Sequence, residues 1–113
     1  MVVAEMTLHL AAGSGDVAEM RRLVAAGVNV DELDEDGATA LLWATDKGHE
    51  EAIRVLVVEL GADKEAKDVA GCTPLHHAAY NGRVEAIKAL VQLGVNKEAK
   101  CVDGQTALHQ AAA

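Results

Sequence analysis

The chain has 113 residues, half of them apolar and a quarter charged, with one proline, two aromatic residues (Trp43 and Tyr80) and a formal net charge of −8. That length leaves room for one small domain, and its longest apolar runs, such as Val55 to Val58, fall far short of the roughly 18 residues a membrane span needs. The excess of Asp and Glu (18) over Lys and Arg (10) opposes the phosphate contacts that dominate nucleic-acid affinity, so neither nucleic acid nor an anionic membrane is expected as a partner.

The start, Met-Val-Val-Ala-Glu, lacks the basic and apolar regions of a secretory signal, and an intracellular, cytoplasmic location is expected, with the nucleus also open. Two cysteines, Cys72 and Cys101, are too few for a disulfide-dense secreted scaffold and are expected as free thiols. With so few aromatics, Ala, Leu and Val have to fill the core. Side chains this small imply closely approaching helices, which suits a stack of short repeats.

Three glycine series share one period: Gly37, Gly71 and Gly104; Gly15, Gly48 and Gly82; Gly27, Gly61 and Gly94. Each step is 33 or 34 residues. Each unit reads as two short helices with a glycine between them, followed by a polar finger. In the first unit, Val17, Met20, Leu23 and Val24 form the apolar stripe of the second helix, and Gly27 ends it. The Gly13-Ser14-Gly15 segment reads as the tight turn before that helix.

The second unit opens with Thr39-Ala40-Leu41. It diverges most, placing Glu50 where the other units have Val17 and Val84. From Gly48 to Gly61 there is one residue more than in the neighbouring units, which predicts a bulged or lengthened helix end within Val57 to Leu60. The third unit has Thr73 as N-cap, Pro74 at the first helical position, a helix through Tyr80 and a break at Gly82. Its second helix carries the stripe Val84, Ile87, Leu90 and Val91 up to Gly94, and a finger follows over Val95 to Asp103. The fourth unit opens with Thr106-Ala107-Leu108-His109, and the chain stops at Ala113 after a single helix, leaving apolar surface there for a neighbour to cover.

The run Thr73-Pro74-Leu75-His76-His77-Ala78, set in this period, resembles the ankyrin repeat signature. The resemblance implies an all-α, ankyrin-type helical repeat solenoid, with a helix-turn-helix and a β-turn or hairpin finger per repeat. About three and a half repeats would form one domain over residues 1–113, divided near 1–34, 35–68, 69–100 and a partial 101–113. Only the third repeat carries the motif intact. The first has Met6-Thr7 in place of Thr-Pro and Ala4 in place of the opening glycine, and the second has Leu42 in the histidine slot.

His9, His76 and His109 share that slot, where the resemblance implies a structural ring tying the helix start to the neighbouring turn by hydrogen bonds. No cluster of His and Cys has metal-ligand spacing, and adjacent His76 and His77 point in different directions on a helix, which makes His77 a surface candidate. No nucleophile elbow, phosphate loop or activated cysteine is present, so the chain is not expected to be an enzyme or to carry a cofactor.

Charge is lopsided: residues 1–63 hold thirteen acids and four bases, whereas residues 64–113 hold five acids and six bases. Asp31, Glu32, Asp34, Glu35 and Asp36 would steer a basic segment of a partner, or simply keep the chain soluble. The resemblance implies binding through the fingertips and the exposed face of the first helices. Carried over by position, that surface comprises Glu35, Asp36, Ala38, Asp46 and Lys47, then Val69, Ala70, Cys72, His77, Tyr80 and Asn81, then Val102, Asp103 and Gln105. Tyr80 is the leading contact residue, Trp43 is expected to pack between inner helices, and Cys72 is expected to be inert. The expected function is thus a non-catalytic, monomeric module that binds another protein on its concave face. The alternatives are a structural scaffold, a fragment or an engineered repeat protein with no specific partner, and head-to-tail self-association through the last helix.

Overall fold

The computed structural model describes residues 7–98. Among them are six α-helices and no strand: α1 (Leu8–Ser14), α2 (Val17–Ala25), α3 (Ala40–Lys47), α4 (Glu50–Arg54), α5 (Pro74–Tyr80) and α6 (Val84–Gln92). They pair as antiparallel hairpins, α1 with α2, α3 with α4 and α5 with α6. The inner helices α1, α3 and α5 pack side by side, and α4 packs on α6 in the outer layer. This is the all-helical repeat stack expected from the glycine period.

The start of each inner helix is set by a threonine. Thr7 Oγ1 accepts from the Leu10 amide and Thr39 Oγ1 from the Leu42 amide, both at 3.2 Å. At α5 the Thr73 amide donates to His76 Nδ1 at 3.0 Å, closing a capping box, while Pro74 takes the first helical position. Helix α1 runs through Gly13 and Ser14, so only Gly15, at φ 74°, makes the turn the sequence assigned to all three residues.

Alanine does much of the packing. Ala11, Ala12, Ala40, Ala44, Ala78, Ala86 and Ala89 are all fully buried, so the helix backbones approach closely around Met20, Leu41, Ile53, Leu56 and Leu90. The outer stripe is narrower than expected. Met20, Leu23 and Leu90 are buried, but Val17, Val24 and Ile87 are only half-buried, and Val84 (57% exposed) and Val91 lie open to solvent. The slot shared by Val17 and Val84 is therefore a rim position. That is why Glu50 is tolerated there, where its carboxylate pairs with Arg54 at 3.2 Å.

After Arg54 the outer helix of the second repeat continues as a π-helical turn, Val55–Glu59, overlapping the segment where the extra residue was expected. Its end carries Glu59, whose two oxygens accept from Arg21 Nε and Nη2 at 2.8 Å. One repeat further on, Arg54 donates to Gln92. An arginine thus ties neighbouring repeats twice in the outer layer, 33 residues apart, once to a carboxylate and once to a neutral amide.

Candidate binding site

Finger one (residues 26–39) joins α2 to α3, and finger two (residues 60–73) joins the π-helical turn to α5. Their tips are turns, the first of the two forms expected, a β-turn or a hairpin. In finger one the Asp34 amide donates to the Ala38 carbonyl at 2.9 Å, and Asp34 Oδ1 accepts from the Asp36 and Ala38 amides, each at 2.9 Å. Finger two repeats this. The Asp68 amide donates to the Cys72 carbonyl (2.9 Å), and Asp68 Oδ1 accepts from the amides of Ala70 (2.9 Å) and Cys72 (3.0 Å). A carboxylate thus does locally what strand pairing would otherwise do.

Behind each tip, a ring on the inner helix takes the second carboxylate oxygen. Trp43 Nε1 donates to Asp34 Oδ2 at 2.7 Å, and His77 Nε2 donates to Asp68 Oδ2 at 2.8 Å. The amides hold the Asp34 carboxyl below the ordinary carboxylate range, with that of Ala38 contributing most against the opposing effect of burial. For Asp68, burial pushes upward, but the Cys72 amide, His77 and the Ala70 amide together bring the carboxyl below its ordinary value.

His77 also reaches the preceding repeat, where its Nδ1 lies 2.8 Å from Asp46 Oδ1. A carboxylate can only accept, so both contacts are hydrogen bonds only while both ring nitrogens carry hydrogen. The hydrogen bond to Asp46 raises the proton affinity of His77 most, against the cost of burial, and Asp68 adds to it. Asn81 Nδ2 donates to the same Asp46 oxygen at 3.1 Å, and Arg83 Nε donates to the Asp46 carbonyl at 3.0 Å. Three residues of the third repeat therefore converge on Asp46 of the second.

Of the slot histidines, His9 makes the tie to the neighbouring turn that the resemblance implied. His9 is buried, and its Nε2 donates to the carbonyls of Glu32 (2.9 Å) and Ala38 (3.0 Å), tying α1 to finger one. His76 is buried with Nδ1 accepting from Thr73. His109 lies outside the described residues. Leu42, in the same slot of the second repeat, is buried and its side chain has no donor to offer.

Between the two fingers, α3 and α5 open a groove of about 380 Å³. Ala38, Leu42, Trp43 and Val69 give it apolar surface, and Asp34, Asp36, Asp46 and Asp68 set four carboxylates around it against Lys47 and His77. Of the residues singled out from the sequence, this brings together Asp36, Ala38, Asp46, Lys47, Val69 and His77. Val69 is 85% exposed. Tyr80 (80% exposed) lines a second, smaller depression of about 220 Å³ with Cys72, His76 and the shared Asp68 and His77. Glu35, Ala70 and Asn81 are exposed but line neither hollow, and Val102, Asp103 and Gln105 lie outside the described residues.

Two expectations change. Trp43 is not enclosed between inner helices: it is half-buried, with its ring against Gly13 and edge-on to His9 (centroids 6.0 Å apart, planes at 64°) and another side on the groove. Cys72 is half-buried and disulfide-bonded, not a free thiol. Asp68 and Leu42 were not singled out as site residues. Asp68 was findable, because Asp34 and Asp68 repeat at the glycine period, each three residues before a glycine.

Among the described residues no helix is long and apolar enough to cross a membrane, and no group of three or more His, Cys, Asp or Glu side chains is placed to hold a metal ion.

A family model described as ankyrin repeats (3 copies) matches residues 4–68 and 60–113. Among curated proteins, the chain is 33% identical over 85 residues to the mitochondrial liver isoform of glutaminase from Rattus norvegicus, covering 75% of this chain and 14% of that protein. It is 36% identical over 60 residues to ankyrin repeat domain-containing protein 49 from Mus musculus, covering 53% of this chain and 25% of that one. With protein phosphatase 1 regulatory subunit 12A from Mus musculus it shares 44% over 57 residues, 50% of this chain and 5% of that protein. The chain thus spans at most a quarter of the length of these relatives, and its matches to enzymes run through the repeats. Ankyrin repeats are in general non-catalytic modules that mediate protein–protein interaction. The family match, the repeated helix pairs and the threonine and histidine caps agree, and the chain belongs to the ankyrin repeat family.

Proposed function

We propose that this chain is a monomeric protein-binding module that holds a basic segment of its partner in the groove between fingers one and two. The observation that carries this reading is the groove itself, where Trp43, Ala38 and Val69 offer apolar contact beside the carboxylates of Asp36 and Asp46. Apolar area supplies affinity, while carboxylates around it select and steer a cation-bearing segment. Because both fingertips are already closed by Asp34 and Asp68, the surface is preformed and loses little entropy when a partner docks.

Tyr80 and Asn81 extend the same face towards the third repeat and would contact the partner beyond the groove. No catalytic step and no cofactor enters this reading. The test is capture from cell extract by the wild-type chain and by a Val69→Ser, Tyr80→Ala double variant shown by circular dichroism to be folded. The expected result is a partner that the wild type retains, that rising salt elutes and that the variant does not hold. Equal retention by both proteins would move the site off this face, and capture of nothing by either would favour a scaffold without a specific partner. Sedimentation that reports a concentration-dependent dimer would replace the monomer with self-association.

A further inference from the structure

The groove already contains a side chain that becomes a cation on protonation. His77 sits in its wall with one ring nitrogen 2.8 Å from Asp46 and the other 2.8 Å from Asp68, occupying two of the four carboxylates available to a basic partner. The two ends of this bridge differ. Asp68 is enclosed (side chain 18% exposed), and its other oxygen is fixed by the amides of Ala70 and Cys72, so it cannot turn away. Asp46 is more open at 43%, and among the described residues its carboxylate is steadied by His77 and Asn81.

We propose that His77 is a proton-operated competitor for the groove: while both ring nitrogens carry hydrogen the imidazolium holds Asp46, and once Nδ1 loses its proton Asp46 turns to an arginine or lysine of the partner. This deepens the proposed function and rests on it. The neutral ring keeps Nε2–H on Asp68, where the acceptor is immobile. Its Nδ1 lone pair then faces the Asp46 carboxylate at a distance where two acceptors repel, so Asp46 rotates on its own side chain towards the open groove. A partner guanidinium that docks there gives Asp46 a new donor. Binding and proton release are thereby linked, and the groove holds cations more tightly as pH rises through the His77 titration.

The surroundings leave His77 as the group in control. From α3 the charged neighbours are Asp46 and Lys47, and from finger two Asp68. Asp34 and Asp36 face the same groove from finger one. On its own helix, His76 is buried against Thr73, and Tyr80 and Asn81 project outward. Arg83 is committed to the Asp46 carbonyl, and Glu85 and Lys88 of α6 pair with each other at 3.6 Å.

The test uses the whole chain and an acetylated, amidated nonapeptide of the repeat Leu-Arg-Gly, whose arginines do not titrate between pH 5.5 and 8.5, roughly speaking. Calorimetry is run across that interval in two buffers of different ionisation enthalpy, with wild type and His77→Gln. In the wild type, affinity is expected to rise with pH by up to about tenfold per unit, the ceiling for one linked proton, with proton release on binding near the midpoint. The variant is expected to bind at every pH without proton release. In parallel, the ring nitrogens of His77 are titrated by NMR in free and peptide-saturated wild type, where the midpoint is expected to fall on saturation; this reading does not depend on the variant folding. Binding that is flat with pH, a dependence that survives in His77→Gln, or an unmoved midpoint would overturn the competitor role and leave the groove reading intact. No binding by wild type or variant at any pH would overturn both.

Discussion

Trp43 and His77 stand one repeat apart on the inner helices, and each gives a ring N–H to the aspartate that closes the finger in front of it, at 2.7 Å to Asp34 and 2.8 Å to Asp68. An indole and an imidazole thus perform one task. A phenyl ring would fill most of the indole's space and donate nothing, so Trp43→Phe isolates the hydrogen bond. We expect it to cost about 1.5 to 3 kcal/mol, the usual worth of a hydrogen bond to a charged acceptor. Urea unfolding measures it, and a stability within error of wild type would mean that finger one closes without help from α3.

Burial decides a second pair. Leu90 is fully enclosed beside Ala86 and Ala89, and truncating it to alanine leaves a cavity that should cost about 2 to 5 kcal/mol. The Asp36 side chain is exposed at the finger tip, where its amide rather than its carboxylate makes the turn, so Asp36→Ala should change stability by less than about 0.5 kcal/mol. Thermal melts that ranked the two in the opposite order would refute the placement of α6 in the stack.

The titrating groups give stability two limbs. Asp34 and Asp68 have lowered folded values, so their contribution is fully present above the ordinary aspartate value of about 3.9 and is lost as pH falls through the folded ones. His77 has a raised folded value, so its contribution is complete below about 6.5 and disappears as pH rises through the folded one. Melting temperatures should therefore decline on both sides, with Asp68→Asn flattening the acid limb and His77→Gln the neutral-to-alkaline limb. Curves for these variants that run parallel to wild type throughout would show that neither group gains stability from its partners.

Gly48 and Gly61 share a φ of 75°, but their surroundings differ. A Cβ at Gly48 would meet Arg83 Cδ at 3.0 Å, whereas nothing lies within 4 Å of one at Gly61. Alanine at either site pays the left-handed backbone cost of about 1 to 2 kcal/mol. At Gly48 it must also move Arg83, which donates to the Asp46 carbonyl. Gly48→Ala should accordingly be the more destabilising of the two, and equal losses in calorimetric melts would show that the Arg83 contact contributes nothing.

The helices were legible because their punctuation is local. Thr39 and Thr73 cap within three residues, and the glycines mark helix ends on the chain itself. The groove was only half legible for the opposite reason. His77 meets Asp46 across 31 residues, and nothing in its own neighbourhood announces a carboxylate from the preceding repeat. The outer stripe was misjudged at Val84 and Val91 because a helical period marks which side is apolar, not how far the neighbouring layer reaches over it. Trp43 was placed inside by its size, yet its N–H requires a polar partner, and Asp34 supplies one at the edge of the groove.

The π-helical turn at Val55–Glu59 has a consequence for how such a chain can change over generations. An added residue in an ordinary α-helix rotates everything after it by about 100° and would swing the next finger away from its neighbours. Here the wider turn takes up the addition on the back of the protein. Asp63 still reaches Asp31 of the preceding finger, with its amide donating at 2.9 Å, and Glu59 still meets Arg21. Length can thus be gained in the outer layer without disturbing the fingers, which leaves the groove between them free to vary on its own.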